Sequence, residues 1–328
     1  MIHFSKNFLI GFSVGVVVFI ALLIVYLQLF SAPGESAESE RFIIPLNSEN
    51  STIIDSLHEE GFIKRSFGFK LALKLEGKSL DQVIPGGYSL SKSMSVWAVA
   101  RALFSEPYMK WLVIPEGYRK EQIADLLQNS FGWSDEVKNE WVTVYTAMNF
   151  DYVEGVYFPD TYLIPVDEEP LKIAERFQSK FNEKLATFSE EALRQNIKWT
   201  TLVKLASIIQ REAGNKDDMP LVAGILWNRL LKGQRLEADA TLQYIKGSAE
   251  SGWWPVVVPE DKKLDSPYNT YKTDGLPPHP ISNPGIDAMN AMLYPEETKC
   301  FFYIHDGEGN IHCSETYEEH KMNIEKYL

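Results

Sequence analysis

Glu212 is one of 45 acidic residues in the 328-residue chain, and it stands where an acid is out of place. In the run TTLVKLASIIQREAG, Leu205, Ile208 and Glu212 are spaced three and four apart, so on a helix the carboxyl group extends an apolar stripe. Burial and the negative end of the helix dipole both disfavour a carboxylate, and together they move its pKa up toward the range useful for proton donation. The same spacing fits an ordinary solvated glutamate whose charge is relieved by the adjacent Arg211. Periodicity alone does not separate the two readings.

Downstream lies a stretch dense in small, polar and aromatic residues: LEADATLQY, SPYNTY and GLPPHPISNPG. Prolines fix backbone angles without offering amide donors, which suits either a preorganised wall for a polar ligand or a structural wrap around a domain edge. Trp253 and Trp254 in SGWWP read as a lip on such a cleft or as contacts to a membrane surface, where Trp is enriched. Cys300 and Cys313 flank FFYIHDGEGNIH, two strands around an Asp-Gly turn. With Asp306-Gly307 as a two-residue loop, the two cysteines face each other and can bridge; a longer loop through Gly309 loses that alignment and leaves two thiols. A metal site built from His305, His312, His320 and these cysteines is the sharper reading of the region. The blander one, imidazoles facing solvent or completing local hydrogen bonds, is preferred, and no metal is expected.

The elements that must position Glu212 have boundary signals. Its helix ends with Gly214, which fits a left-handed C-cap. The next helix starts near Asp217, Asp218 and Pro220 and stops at Gly233, an acidic start and a glycine stop that agree. Upstream, EGVYFPDTYLIP (154–165) reads as a twisted core strand joining two modules in preference to a sugar-stacking platform. From Arg41 to about Ser105 the pattern is strand, helix, turn at Gly61, helix, strand at GGYSL, helix, a small α+β module. Ile44-Pro45 recurs as Ile114-Pro115, and Ile53 and Leu57 as Ile123 and Leu127, a strand-then-helix half-unit too widely spaced for a solenoid.

At 45% hydrophobic residues the chain can build a core of about two folded units. Its net charge of −13 argues against nucleic acid as partner. Residues 8–30 carry no charged side chain and would extend about 34 Å as a helix, enough to span a bilayer and longer than the apolar region of a cleaved signal peptide. Lys6 precedes this span, whereas SAPGESAESE (31–40) follows it with three glutamates and no Lys or Arg. Positive-inside asymmetry therefore places the bulk of the chain outside the cytoplasm, held close to the membrane by a short linker.

Taken in order, ASIIQREAG, VAGILWNRLLKG, DATLQY, SPYNTY, GLPPHPISNPG and SETYEEH, with YFPDTY upstream, resemble the MltG/YceG-like endolytic murein transglycosylases over most of the chain. The resemblance implies an α+β protein: residues 1–7 cytoplasmic, 8–30 a transmembrane helix, 31–40 a linker, 41–108 a LysM-like module and 109–328 the YceG-like catalytic domain. It implies that Glu212 is the catalytic acid, with Asp239, Thr241, Tyr268, Asn269, Tyr271 and Asn283 around the sugar cleft. The implied reaction cleaves the MurNAc–GlcNAc bond with formation of 1,6-anhydro-MurNAc ends and needs no cofactor. Peptidoglycan strands are the implied partner, with cell-wall synthases (penicillin-binding proteins) as neighbours at the cytoplasmic membrane. A muramidase-type hydrolase using Asp239 or Asp160 as base, and a non-catalytic peptidoglycan-binding scaffold, are the alternatives. The chain departs from the family pattern at Ala240, where Pro is usual, and at His279, where Gly is usual; neither is expected to touch the acid.

Overall fold

A computed structural model describes residues 6–328; most of the expected cytoplasmic segment, residues 1–5, lies outside the described residues. The chain divides into two compact units, 1–111 with 163–167 and 112–162 with 168–328.

The first unit begins with α1 (Lys6–Phe30), continues through β1 (Glu40–Ile44), α2 (Asn50–Glu59), α3 (Ser66–Glu76), β2 (Gly86–Leu90) and α4 (Val96–Leu103), and reaches β3 (Met109–Val113). β1 and β2 pair antiparallel, from Glu40 opposite Leu90 to Ile44 opposite Gly86. With β4 (Thr161–Pro165) they form a four-stranded sheet in the order β1-β2-β3-β4. Alternate strand residues Phe42 and Ile44 enter a core with Ile53 and Leu57 of α2, Phe69 of α3 and Val99 and Leu103 of α4, as a half-buried strand with period two requires. The linker does not leave α1 as a loose tether: Phe30 joins this core, and the Gly34 and Ser93 amides bond Lys92 and Ser36 carbonyls at 2.8 and 3.0 Å. Within α1, every residue from 10 to 28 is exposed, and Ile10–Phe30 is long and apolar enough to cross a membrane.

The half-unit of β1 and α2 has a local counterpart: β3 is followed by α5 (Lys120–Phe131) of the second unit, whose Ile123 and Leu127 are buried as Ile53 and Leu57 are in α2. Then come α6 (Asp135–Thr143), α7 (Pro170–Ala186), α8 (Ser189–Arg194), α9 (Trp199–Glu212), α10 (Met219–Leu231), α11 (Asp239–Lys246) and α12 (Ile286–Leu293). The hairpin of β5 (Phe302–His305) and β6 (Ile311–Ser314) and the helix α13 (Tyr317–Tyr327) complete it. Tyr157, Phe158 and Tyr162 are buried, and Tyr157 packs on Trp141 of α6 at 5.4 Å between ring centres. The aromatics of 154–165 are thus core.

The hairpin register corrects one expectation and replaces the reasoning behind another. Tyr303 faces Cys313 and His305 faces Ile311, so the loop runs from Asp306 to Asn310, closed by the Asp306 amide on the Asn310 carbonyl at 3.0 Å, with Gly309 at φ +85°. This is the longer loop, yet Cys300 and Cys313 are bridged, with Cα atoms 5.8 Å apart. Cys300 lies before the strand, where the chain has already closed on β6 through the Phe301 amide and the Ser314 carbonyl. A direct facing position is therefore not required. The bridge also removes both sulfurs from any metal set. His312 bonds Asp306 at 2.8 Å, and His320 stacks on Phe302.

Candidate active site

α9 is apolar on the faces that pack: Leu202, Leu205, Ile208 and Ile209 have no accessible surface. Its polar residues Ser207 and Gln210 are spent on the GLPPHPISNPG loop, accepting from the Ile281 and Gly285 amides at 3.0 and 2.9 Å. Glu212 is the last residue of α9. The helix does not end in a left-handed glycine as expected: Ala213 caps it in an extended conformation. Gly214 instead meets the hairpin: its amide donates to His305 Nε2 at 3.3 Å, and a Cβ there would lie 3.0 Å from the His305 ring, a tight contact.

Two elements meet the Glu212 carboxyl group. The Ala240 amide, in the first turn of α11, donates to Oε1 at 2.9 Å, and the Tyr303 hydroxyl of β5 donates to Oε2 at 2.6 Å. Ala240 therefore does touch the acid, against expectation, because contact is made by the main chain and not by the side chain. A proline at that position would have no such donor. The side chain is half-buried and its carboxyl is packed round by protein. Burial raises its pKa, the Tyr303 and Ala240 donors hold it down, Asp239 pushes it up and His305 draws it down. The carboxyl thus sits between the negative end of α9 and the positive end of α11. Burial and the Glu212 carboxyl beside it hold the Tyr303 hydroxyl well above the usual phenol range, so it remains a donor at neutral pH.

The other expected site residues fall into two groups. Asp239 is exposed and accepts from the half-buried Tyr271 hydroxyl at 2.7 Å. Tyr268, also half-buried, packs on Tyr244 at 5.0 Å, and burial pushes its hydroxyl to about 12. These three present atoms at the surface. Thr241, Asn269 and Asn283 have no accessible surface and brace the loops instead. Thr241 bonds the Ala238 carbonyl and Thr270, and Asn269 bonds the Lys262 and Leu264 carbonyls and the Tyr271 amide. Asn283 accepts from the Tyr157 amide at 2.8 Å and donates to the Tyr118 carbonyl and to Glu154. Asp160 is paired with Lys180 at 3.8 Å. His279 packs edge-on against Phe150 at 4.5 Å. Trp253 and Trp254 are half-buried, donating to Asp125 and Gln122 of α5, and Trp254 lies 4.0 Å beneath the Arg211 guanidinium.

Sequence reasoning passed over three residues. Tyr303 gave no signal, because its role depends on the hairpin register. Arg229, a charge inside the apolar run of α10, did: its guanidinium donates to the Phe301 and Leu236 carbonyls at 2.6 and 2.9 Å. It thereby ties the approach to β5 to the approach to α11, the two elements that reach Glu212. Glu154, at the head of the aromatic run, is fully buried, accepts from the Lys120 and Gly155 amides, and is pushed up to about 7, mainly by burial.

The model of the YceG-like family matches residues 42–326. The chain is 29% identical over 307 residues to an endolytic murein transglycosylase of Bacillus subtilis, covering 87% of this chain and 84% of that protein. A Streptococcus pneumoniae protein of the same name is 25% identical over 360 residues, covering 94% of this chain and 65% of the relative's length. The crystal structure of a yceG-like protein from Listeria monocytogenes superposes with a TM-score of 0.55 at 28% identity, over 88% of this chain and 99% of that one.

Proposed function

The chain belongs to the YceG-like family, and from that premise we propose that it is a membrane-anchored endolytic lytic transglycosylase that cleaves the MurNAc–GlcNAc bond of peptidoglycan. The observation that carries the reading is the Glu212 carboxyl group, raised in pKa by burial and held by one donor on each oxygen. As a neutral acid, Glu212 gives its proton to the glycosidic oxygen. The carboxylate that results is met by the Ala240 amide and the Tyr303 hydroxyl, already aimed at it, which is electrostatic preorganisation at the point where charge appears. It then takes the proton of the muramyl C6 hydroxyl as that oxygen closes the 1,6-anhydro ring. The substrate's own hydroxyl replaces the water and the second carboxylate of an ordinary glycosidase. No metal or organic cofactor takes part in this scheme. Asp239, Tyr268 and Tyr271 contact the glycan, while Thr241, Asn269 and Asn283 position the loops around it.

In this reading α1 crosses the cytoplasmic membrane with residues 1–7 inside, and residues 109–328 act outside on nascent strands, near the cell-wall synthases that make them. The β1-α2-α3-β2 order of residues 41–108 supports a LysM-like module. A hydrolase with Asp239 as base is the second reading, favoured by the charge of Asp239 acting on Glu212.

The test compares the chain with its Glu212→Gln variant on purified peptidoglycan. The variant should lose at least about 100-fold in strand cleavage while still sedimenting with the polymer. Equal cleavage by both would remove Glu212 from catalysis, and binding without cleavage by the parent would make the chain a scaffold.

A further inference from the structure

α3 has two unlike faces. Gly68, Phe69, Ala72 and Leu73 are buried in the first unit. On the other side Phe67 and Leu75 are 64% and 66% exposed, with half-buried Leu71 between them. These three lie four apart, so they form one continuous apolar stripe. Exposed Lys64, Arg65, Lys70 and Lys74 surround it, in a chain whose net charge is −13. A large apolar stripe edged by cations is the composition of a helix lying in a membrane interface.

What covers the stripe follows from its place beside α1. The two helices touch where α3 has Gly68: a Cβ there would lie 2.3 Å from the Leu29 carbonyl oxygen. Phe30 stacks on Trp97 at 5.2 Å, and Lys64 Nζ donates to Ser31 Oγ at 2.7 Å. At 3.6 residues per turn, Leu75 and Leu71 lie within about 60° of Gly68 on one side and Phe67 about 100° away on that same side. The buried residues Ala72, Phe69 and Leu73 lie on the opposite side. Between α1 and the start of α3 is a cleft of about 610 Å³ lined by Ile24, Leu27, Gln28, Ser31, Lys64 and Arg65. Its lower wall is made of α1 residues that belong in hydrocarbon, and its rim holds two cations. That is the polarity of a phospholipid, with chains below and phosphate above.

We propose that α3 lies on the outer leaflet of the membrane that α1 crosses, with Phe67, Leu71 and Leu75 at the acyl boundary and an anionic phospholipid in the cleft, its phosphate on Lys64 and Arg65. This rests on the reading of α1 as a membrane span. The first unit is then seated on the bilayer by two helices, and anionic lipid content sets how firmly.

The full-length chain carrying an environment-sensitive fluorophore on Leu75→Cys is reconstituted into phosphatidylcholine vesicles with and without phosphatidylglycerol, using lipids with a nitroxide high on the acyl chain as quencher. Cys300 and Cys313 are bridged, so only the introduced thiol is labelled, and Asp55→Cys, at an exposed position of α2, is the reference site. The Leu75 label should be quenched severalfold more with phosphatidylglycerol than without, and Lys64→Gln/Arg65→Gln should abolish that difference. A label unquenched in both vesicles would overturn the placement of α3, and quenching indifferent to phosphatidylglycerol would overturn the anionic site. Resistance to alkaline extraction is read on the same samples: its loss would dismiss the span itself, whereas its retention with an unquenched label dismisses only α3.

Discussion

Among single residues, Glu212 and Glu154 are both raised in pKa chiefly by burial and serve different ends. Glu212 has one donor on each oxygen. Removing the Tyr303 hydroxyl takes away a hydrogen bond that favours the carboxylate, so Tyr303→Phe should move the alkaline limb of kcat/KM to higher pH, because the acid form of Glu212 then persists further. Arg211, Asp239, Tyr271 and His305, the other charged or titratable groups that act on it, stay in place. A lower rate with an unmoved limb would assign Tyr303 to packing alone. Glu154 is pushed up to about 7, so the folded chain holds a proton that the unfolded chain has already released. Stability from this group is present below the unfolded carboxyl range and is lost as pH rises toward 7. Glu154→Gln should therefore melt with the parent near pH 5 and above it at pH 8, by an amount on the order of 1–3 kcal/mol; parallel melting curves across that range would contradict this. Helical spacing among Leu and Ile drew attention to Glu212 but left it open between a buried acid and a solvated glutamate, and the order of motifs singled it out. Its donors were not legible, since a backbone amide from residue 240 and a hydroxyl from residue 303 are brought together only by the tertiary fold.

At the scale of elements, the acid is gripped between a helix start and a hairpin. α11 supplies the Ala240 amide from its first turn, where helix N–H groups lack internal partners, and β5 supplies Tyr303. Arg229 bonds the chain entering each, and the Cys300–Cys313 bridge closes the hairpin at its base. Replacing both cysteines by serine frees a loop with a sequence separation of 13. The cost should be about 3 kcal/mol of stability by the chain-entropy argument, together with a fall in cleavage rate as Tyr303 loosens. Melting and turnover of the double variant would check this, and unchanged turnover would show that the hairpin holds Tyr303 without the bridge. Helix boundaries were readable from Asp218, Pro220 and Gly233, because capping is local. The end of α9 was misread, since Ala213 caps it in an extended conformation and Gly214 meets the His305 ring, a contact 91 residues away in sequence that no local pattern reports.

For the whole molecule, composition carried the apolar N-terminal helix and the order of motifs carried the family. What neither could report is that the segment after α1 is folded against the first unit, with Phe30 in its core and Gly34 bonded to Lys92. The end of α1 is thus fixed to the first unit by its own fold, not by a loose linker. Equally hidden was the division of the polar loop residues into those that face solvent, Asp239, Tyr268 and Tyr271, and those buried as braces, Thr241, Asn269 and Asn283. Small polar residues suit both duties, and only burial separates them. In the proposed reaction Glu212 serves as both acid and base, and the sugar's own hydroxyl takes the place of water. The most direct test is to digest purified peptidoglycan with the full-length chain in water enriched in oxygen-18 and read the new glycan ends by mass spectrometry. Anhydro ends carrying none of the label, made by the parent and not by Glu212→Gln, are expected; reducing ends bearing one labelled oxygen would rule out the transglycosylase reaction and establish hydrolysis.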